Sequence, residues 1–356
     1  VTLKLRRGTV LEGDPLVVEV AGERRPAWAD PAVVGEVRAG DEVVVNTAAL
    51  DLGLGSGGFD VVHVNLTRGL EAPAAGEAHV MKLNYTSLQH PVEPIEPDLD
   101  ADAELPPRAM PVLVVHLHGQ IAPALWAAAQ AREGLRVGYV QTPGGALPGA
   151  LSRDVAELRE RGLMAGHVTA GSAHGGEHEA ITVAGGIDAG ARVLGWDACV
   201  AGPGPGILGS ASRLGHGGLT ALDTAHAALA LELPTLLAPR LSSSDPRARH
   251  RGLSHHTRTV LEMMLAPVRV PVPETEAEGW PLLEADAPEG GSQQEALEDL
   301  IAATKDRHDL AVQPVDLAGY AASGLPTSTM GRDLDEDPLF FAAALAAGSA
   351  LARAVR

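Results

Sequence analysis

Histidine, arginine and glycine gather in a few loops of this sequence, and those residue types suit proton transfer, anion binding or metal ligation. The loops are His116-Leu-His-Gly-Gln120, Gln141-Thr-Pro-Gly-Gly145, Gly171 to Glu179, Gly202 to Gly218 and Arg240 to Thr257. They hold His116, His118, His174, His178, His216, His250, His255 and His256, eight of the chain's fourteen histidines. Histidine titrates near neutrality and so can act as general acid or base. The candidates for that role are His116, His118, His174 and His216. Ligand contacts are expected from Thr142, Gly144, Gly145, Gly175, Gly176, Gly204, Gly206, Ser212, Arg213, Asp245, Arg251, His255 and His256. The segment from Arg240 to Thr257 has four arginines and three histidines against one acid. Guanidinium groups there could meet a carboxylate or phosphate with paired hydrogen bonds.

The glycine-rich stretch Gly202–Gly218 admits three readings. A phosphate-gripping loop of nucleotide hydrolases needs Gly-Lys-Ser/Thr, and no lysine is near, so that reading is rejected. Gly204-Pro-Gly206-Ile-Leu-Gly209 matches the dinucleotide pattern G-x-G-x-x-G, but glycines continue to Gly218 where a helix should already run. The next apolar run ends in Arg240 and not in an acid, which would suit a ribose phosphate and hence NADP. The third reading is a backbone cradle for an anion, closed by Arg213.

Metal ligation starts from His116 and His118. Alternate residues at a strand end point the same way, so the two imidazoles could share an ion, with His174, His216 and Asp245 for the remaining positions. Nucleophile motifs are poor: no Gly-x-Ser-x-Gly is present, and Cys199, the only cysteine, lies in an apolar run that reads as core. Glu177 and Glu179 flank His178 and could serve as acid or base, or could simply favour a helix start. No cofactor is named by these residues.

Six apolar runs must position the loops: Val112–Leu117, Leu135–Val140, His167–Ala170, Asp197–Ala201, Pro234–Ala238 and Pro267–Val272. Helical patterns alternate with them at Ala124–Arg132, Leu151–Arg161, Glu179–Leu194, Leu219–Glu232 and Thr257–Leu265. That alternation predicts an α/β fold, a mostly parallel doubly wound sheet of about six βα units over 110–272. Ligands of such sheets bind beyond the carboxyl ends of the strands. Before it, residues 1–90 read as a small barrel-like β module, with strands at Leu16–Val20, Asp41–Val45, Asp60–Val64 and His79–Tyr85. Residues 91–109 and 273–293 are acidic and proline-rich and read as linkers. Residues 294–356 are expected to be a helical segment packing on the α/β domain, with Asp337-Pro338 starting the last helix.

The formal charge of −19 argues against a nucleic-acid partner. The charge lies in the flanks: residues 1–109 hold 9 basic and 18 acidic groups and 273–356 hold 5 and 16, whereas 110–272 hold 13 and 12. No signal-like apolar core opens the sequence, and the run Leu339–Ala352 is too short for a bilayer. The expectation is a cytoplasmic protein with no membrane or nucleic-acid partner, a small anionic molecule as ligand, and a homo-oligomer left open.

Arg249-His-Arg-Gly-Leu-Ser-His-His-Thr257, Val44-Val-Asn-Thr-Ala48, His79-Val-Met-Lys-Leu83, Gly204-Pro-Gly-Ile207, Thr329-Met-Gly-Arg332 and Asp335-Glu-Asp-Pro-Leu339 resemble an uncharacterised bacterial family. It is the domain-of-unknown-function family three-eight-six-six. The likeness covers nearly the whole chain and implies one evolutionary unit; it carries over no catalytic residue. Three readings follow from the residues. The first is a protein binding a small anionic metabolite, with histidine as acid or base. The second is a metal-dependent hydrolase using His116 and His118. The third is a non-catalytic sensor or assembly subunit.

Overall fold

β-Branched runs bounded by Gly, Asp and Pro build a closed five-stranded barrel in the first of two units. The computed structural model describes residues 2–53, 58–70, 78–96, 109–274, 293–304 and 307–356. The units are Val1–Glu93 and Pro94–Arg356. The barrel strands are β1 (Leu5–Gly13), β2 (Leu16–Val20), β3 (Glu23–Trp28), β4 (Glu42–Asn46) and β5 (Asp60–Asn65), in the order β1-β2-β3-β5-β4. Antiparallel pairing of β1 with β4 closes the ring and leaves no edge. Val10, Val18, Val20, Val43, Val45 and Val62 fill it, joined by Val34 from the short helix α1 (Pro31–Val34). A second short helix, α2 (Ala48–Asp51), precedes β5. The strand expected over His79–Tyr85 is only β6 (Val80–Lys82), paired with β7 (His90–Val92). Leu83 and Tyr85 take positive φ of 48° and 61°, a backbone that cannot continue a strand. Of the expected linkers, 97–108 and 275–292 lie outside the described residues, as do 54–57 of the loop Leu52–Gly58.

In the second unit an eight-stranded sheet replaces the six expected strands. Its members begin with β8 (Val112–Val114), after which come helix α3 (Ile121–Ala131), β9 (Val137–Thr142) and α4 (Arg153–Glu160). Then follow β10 (His167–Ala170), β11 (His178–Ala180), α5 (Val183–Arg192), β12 (Ala198–Pro203), α6 (Thr220–Ala230) and β13 (Thr235–Leu237). A small hairpin of β14 (Leu241–Ser242) and β15 (Gly252–Leu253) leads to α7 (His255–Met263) and β16 (Arg269–Pro273). The chain ends with α8 (Gln293–Thr304), β17 (Asp309–Gln313), α9 (Leu317–Ala322), the pair β18 (Ser328–Thr329) and β19 (Arg332–Asp333), and α10 (Pro338–Ala354). Sheet order is β11-β10-β9-β12-β8-β13-β16-β17, and every pairing is parallel.

The two added strands correct the sequence reading at both edges. His178–Ala180, expected as loop and helix start, pairs with β10, and the helix begins only at Val183 behind the Thr182 cap. The C-terminal segment is not purely helical, since Asp309–Gln313 extends the sheet beside β16. Central strands such as Val112–Val114 are buried completely, as a parallel sheet with both faces covered requires. Cys199 is buried in β12, where burial pushes its thiol pKa up. α10 is buried nearly all round and packs against α3, β8, β13, β16 and β17. Gly348 permits that contact: a Cβ there would lie 1.9 Å from the Ala124 carbonyl oxygen. α5 and α6 pack together, against β9, β10 and β12 and against β8, β12 and β13 respectively. No helix among the described residues is long and apolar enough to cross a membrane.

Candidate functional site

Because all eight strands run parallel, the loops that follow them open on one edge of the sheet. From β8 the chain steps outward through β9, β10 and β11, returns to insert β12 beside β8, and continues on the other side through β13, β16 and β17. In open parallel sheets ligands bind at such a reversal, which here falls at the carboxyl ends of β12, β8 and β13. His216, His116 and Arg240 follow those three neighbouring strands.

His116 and His118 do not share a direction. β8 ends at Val114, and His118 lies in a 3-10 turn, His118–Gln120, so the strand alternation that would align them is already lost. His116 Nδ1 lies 3.2 Å from the Gly218 carbonyl, which fixes its proton on Nδ1 and leaves Nε2 buried without a partner among the described residues. His118 Nε2 instead meets Ser152 Oγ at 2.6 Å. Gln120 ties the loops after β8 and β13 together, accepting from the His116 and Leu117 N–H groups while its amide donates to the Pro239 carbonyl.

The glycines after β9 and β12 serve the approach of one loop to the other. A Cβ on Gly145 would lie 2.2 Å from the Gly204 carbonyl, and one on Gly217 would lie 1.9 Å from the Gly144 carbonyl. Gly144 also holds φ at +114°. Between Gly206 and Gly215 the chain makes an exposed excursion, pinned by a bridge from Gly209 to His216. Arg213 does not close a cradle: its guanidinium reaches out to Glu262 on α7. Ser212 Oγ accepts from the Leu214 N–H and is spent on the local turn. The excursion returns at His216, which is buried, and whose Nε2 donates to the Arg213 carbonyl at 3.1 Å. Its Nδ1 has no partner among the described residues.

α7 brings in the other histidines. Ser254 caps it, accepting from the His256 N–H, and also meets His250 Nδ1 at 2.8 Å. His256 stacks on His216 with ring centroids 3.7 Å apart, while His255 meets His216 edge-on at 5.1 Å. His250 is 4.8 Å from His256. Gly218 underlies the stack; a Cβ there would come within 2.9 Å of His256 Nδ1 and 3.4 Å of His216 Nδ1. Among the described residues, one nitrogen each of His216, His255 and His256 lie within 4.8 Å of one another.

Beside them lies a buried ionic network. Asp245 accepts from Arg240 at 3.1 Å, Arg247 at 2.8 Å and Arg332 at 3.3 Å. Asp337 accepts from Ser242 Oγ, the Ser243 N–H and Arg332 Nε. Asp337 stands at the start of α10 before Pro338, as expected, but its carboxylate is used by these groups and not by the helix. Arg240 NH1 lies 3.4 Å from His256 Nδ1, and its Nε is buried without a partner among the described residues. Arg251 donates to the Asp245 carbonyl, on the outer side of the network.

Burial keeps the histidines neutral. It lowers His116 to about 4 and His255 to about 4, and His250 to about 3, with the nearby Arg240 charge adding to the effect. His216 and His256 are lowered by the same burial. Arg240 itself falls to about 10 through burial, which Asp245 partly offsets. Burial alone would raise Asp245; hydrogen bonds from Arg247 and the charges of Arg247 and Arg332 outweigh it and hold the carboxylate ionised.

The remaining candidates fall on the other flank, after β9 and β10. His118 packs edge-on to Tyr139, which stacks on His167, and His167 Nε2 meets Gln141 Oε1 at 3.1 Å. Thr142 Oγ1 donates to the Pro143 carbonyl. His174 pairs through its backbone with Leu147 and Gly149. The Gly175 N–H goes to Glu179 and that of Gly176 to Thr169 Oγ1, so both donors are spent inside their own loop. Glu177 pairs with Arg159. Arg240, Arg247, His250, Arg332 and Asp337 are site residues the candidate set omits. Arg240 lies just beyond β13, at the end of the apolar run that the sequence shows, a signal that could have found it, whereas Arg332 and Asp337 arrive from far along the chain.

No curated protein and no solved structure matches the chain. Residues 26–348 match the family described as Protein of unknown function (DUF3866), and the chain belongs to that family.

Proposed function

We propose that the second unit binds a small anionic metabolite, a carboxylate or phosphate, at the carboxyl ends of β12, β8 and β13, with histidine as general acid or base. The observation that carries this reading is the charge balance at Arg240. Three guanidinium groups, Arg240, Arg247 and Arg332, share two carboxylates, Asp245 and Asp337, and the most buried of the three keeps an unpaired Nε beside uncharged histidines. An anion would supply the missing charge, in a setting of low dielectric where a paired guanidinium binds strongly. His116, with Nδ1 held on a carbonyl and Nε2 free as a base, is the favoured proton acceptor.

The helix packing supports a doubly wound sheet, with α3 and α10 as one layer and α5 and α6 as the other. A crevice at the strand reversal is where such sheets take ligands. The test is a thermal-shift screen with inorganic phosphate and small mono- and dicarboxylates at constant ionic strength. A ligand at a hundred times its dissociation constant adds about 2.7 kcal/mol. Stabilisation by a member of the panel supports the reading, and a flat response across it removes it.

A further inference from the structure

We propose that His216, His255 and His256 form a binding site for a divalent transition metal ion, with zinc the best fit and the fourth position open. Three imidazoles with an open position are the donor set of catalytic zinc sites. One nitrogen of each already lies within 4.8 Å of the other two. A tetrahedral ion with Zn–N bonds of about 2.0–2.1 Å needs its ligand atoms about 3.4 Å apart, so the rings must turn to bring the cluster to that spacing.

The hydrogen bonds point the same way. A metal-ligating histidine donates its other N–H to a carbonyl or carboxylate, which fixes the tautomer and aims the lone pair. His216 has that arrangement: Nε2 donates to the Arg213 carbonyl, and Nδ1 is a buried lone pair with no partner. His255 Nε2 is likewise buried and unpartnered. A buried polar atom without a partner costs stability, and a metal ion is one ligand that would satisfy two such atoms at once. Adjacent in sequence, His255 and His256 are held by the capped first turn of α7, and a His256 Nδ1 that ligated the ion would give up its contact with Arg240 NH1, now 3.4 Å away. Binding must open the parallel stack of His216 on His256 into a converging fan, because stacked rings aim their lone pairs side by side. The nearby Arg240 guanidinium repels the ion, and Asp245 offsets that charge.

The site stands independently of the anion reading, although an ion there would add a second positive centre for the same ligand. The test strips purified full-length protein with a chelator and titrates it with Co2+, read by the visible absorption of tetrahedral cobalt, and with Zn2+ in competition. The expected result is a single ion per chain, lost in His216→Ala and in His255→Gln and retained in His178→Ala. Far-UV circular dichroism checks that the variants stay folded, and His255→Gln keeps the side chain's bulk should His216→Ala misfold. Absence of stoichiometric binding, or binding unchanged in folded His255→Gln, overturns the proposal. Inorganic phosphate titrated into metal-free protein separates the two readings: phosphate binding without cobalt binding removes the metal site and leaves the anion site standing.

Discussion

The imidazoles of His216 and His256 lie stacked, with centroids 3.7 Å apart and planes 11° from parallel. One ring comes from the loop after β12, the other from the first turn of α7. Gly218 leaves room for the stack, because a methyl group there would press on His256 Nδ1 at 2.9 Å and touch His216 Nδ1 at 3.4 Å. Gly218→Ala should therefore cost about 1–3 kcal/mol in urea unfolding, as overpacking does, and weaken any ligand of the histidine cluster. An unchanged midpoint would show that the rings yield freely.

Asp337 joins the start of α10 to the β14 turn and to Arg332. Because its side chain does not cap the helix, losing its charge acts through the network. Asp337→Asn leaves Arg332 short of a partner in a buried place and should cost about 3 kcal/mol or more. A loss below about 1 kcal/mol, the usual value of a cap, would place its role in the helix start.

Gly348→Ala should disrupt the seam between α10 and α3, where the added carbon would overlap the Ala124 carbonyl. The expected loss is about 3 kcal/mol or a shift to non-cooperative thermal melting. A cooperative melt at the wild-type temperature would mean that the two helices separate without cost.

These sites differ in how far the sequence announces them. The runs Val112–Leu117 and His167–Ala170 are legible as buried strands, since continuous β-branched and apolar residues suit no exposed element. His178-Glu-Ala180 is not, because an edge strand of three residues with two polar members has no pattern to read. Asp309–Gln313 is hidden because its large apolar members, Leu310 and Val312, are exposed at the sheet's border, so no buried run marks it. Gathering of histidines on strand-end loops was readable from parallel topology. Their division into two groups was not, for it depends on β8 stopping at Val114 before the His-x-His pair. The glycines of 202–218 promise close approach, and the approaching group is the backbone of 144–146.

His167 should make the protein sensitive to acid. Burial lowers it to about 3, with the His118 and Arg159 charges adding to the effect, while its stacking partner Tyr139 is neutral. Unfolded chain takes up a proton below about pH 6.5, and folded chain does not until about pH 3, so stability falls as pH falls through that window. At pH 5 the loss from this residue is about 2 kcal/mol. Urea midpoints at pH 7.5 and 5 should differ less in His167→Gln than in wild type; equal slopes would assign the acid sensitivity elsewhere.

Calorimetric titration of inorganic phosphate and a small dicarboxylate into wild type and Arg240→Gln tests the anion site most directly. The account predicts saturable binding of at least one of them to wild type, lost in a folded Arg240→Gln variant. Binding of equal strength to both proteins, or to neither, would contradict it.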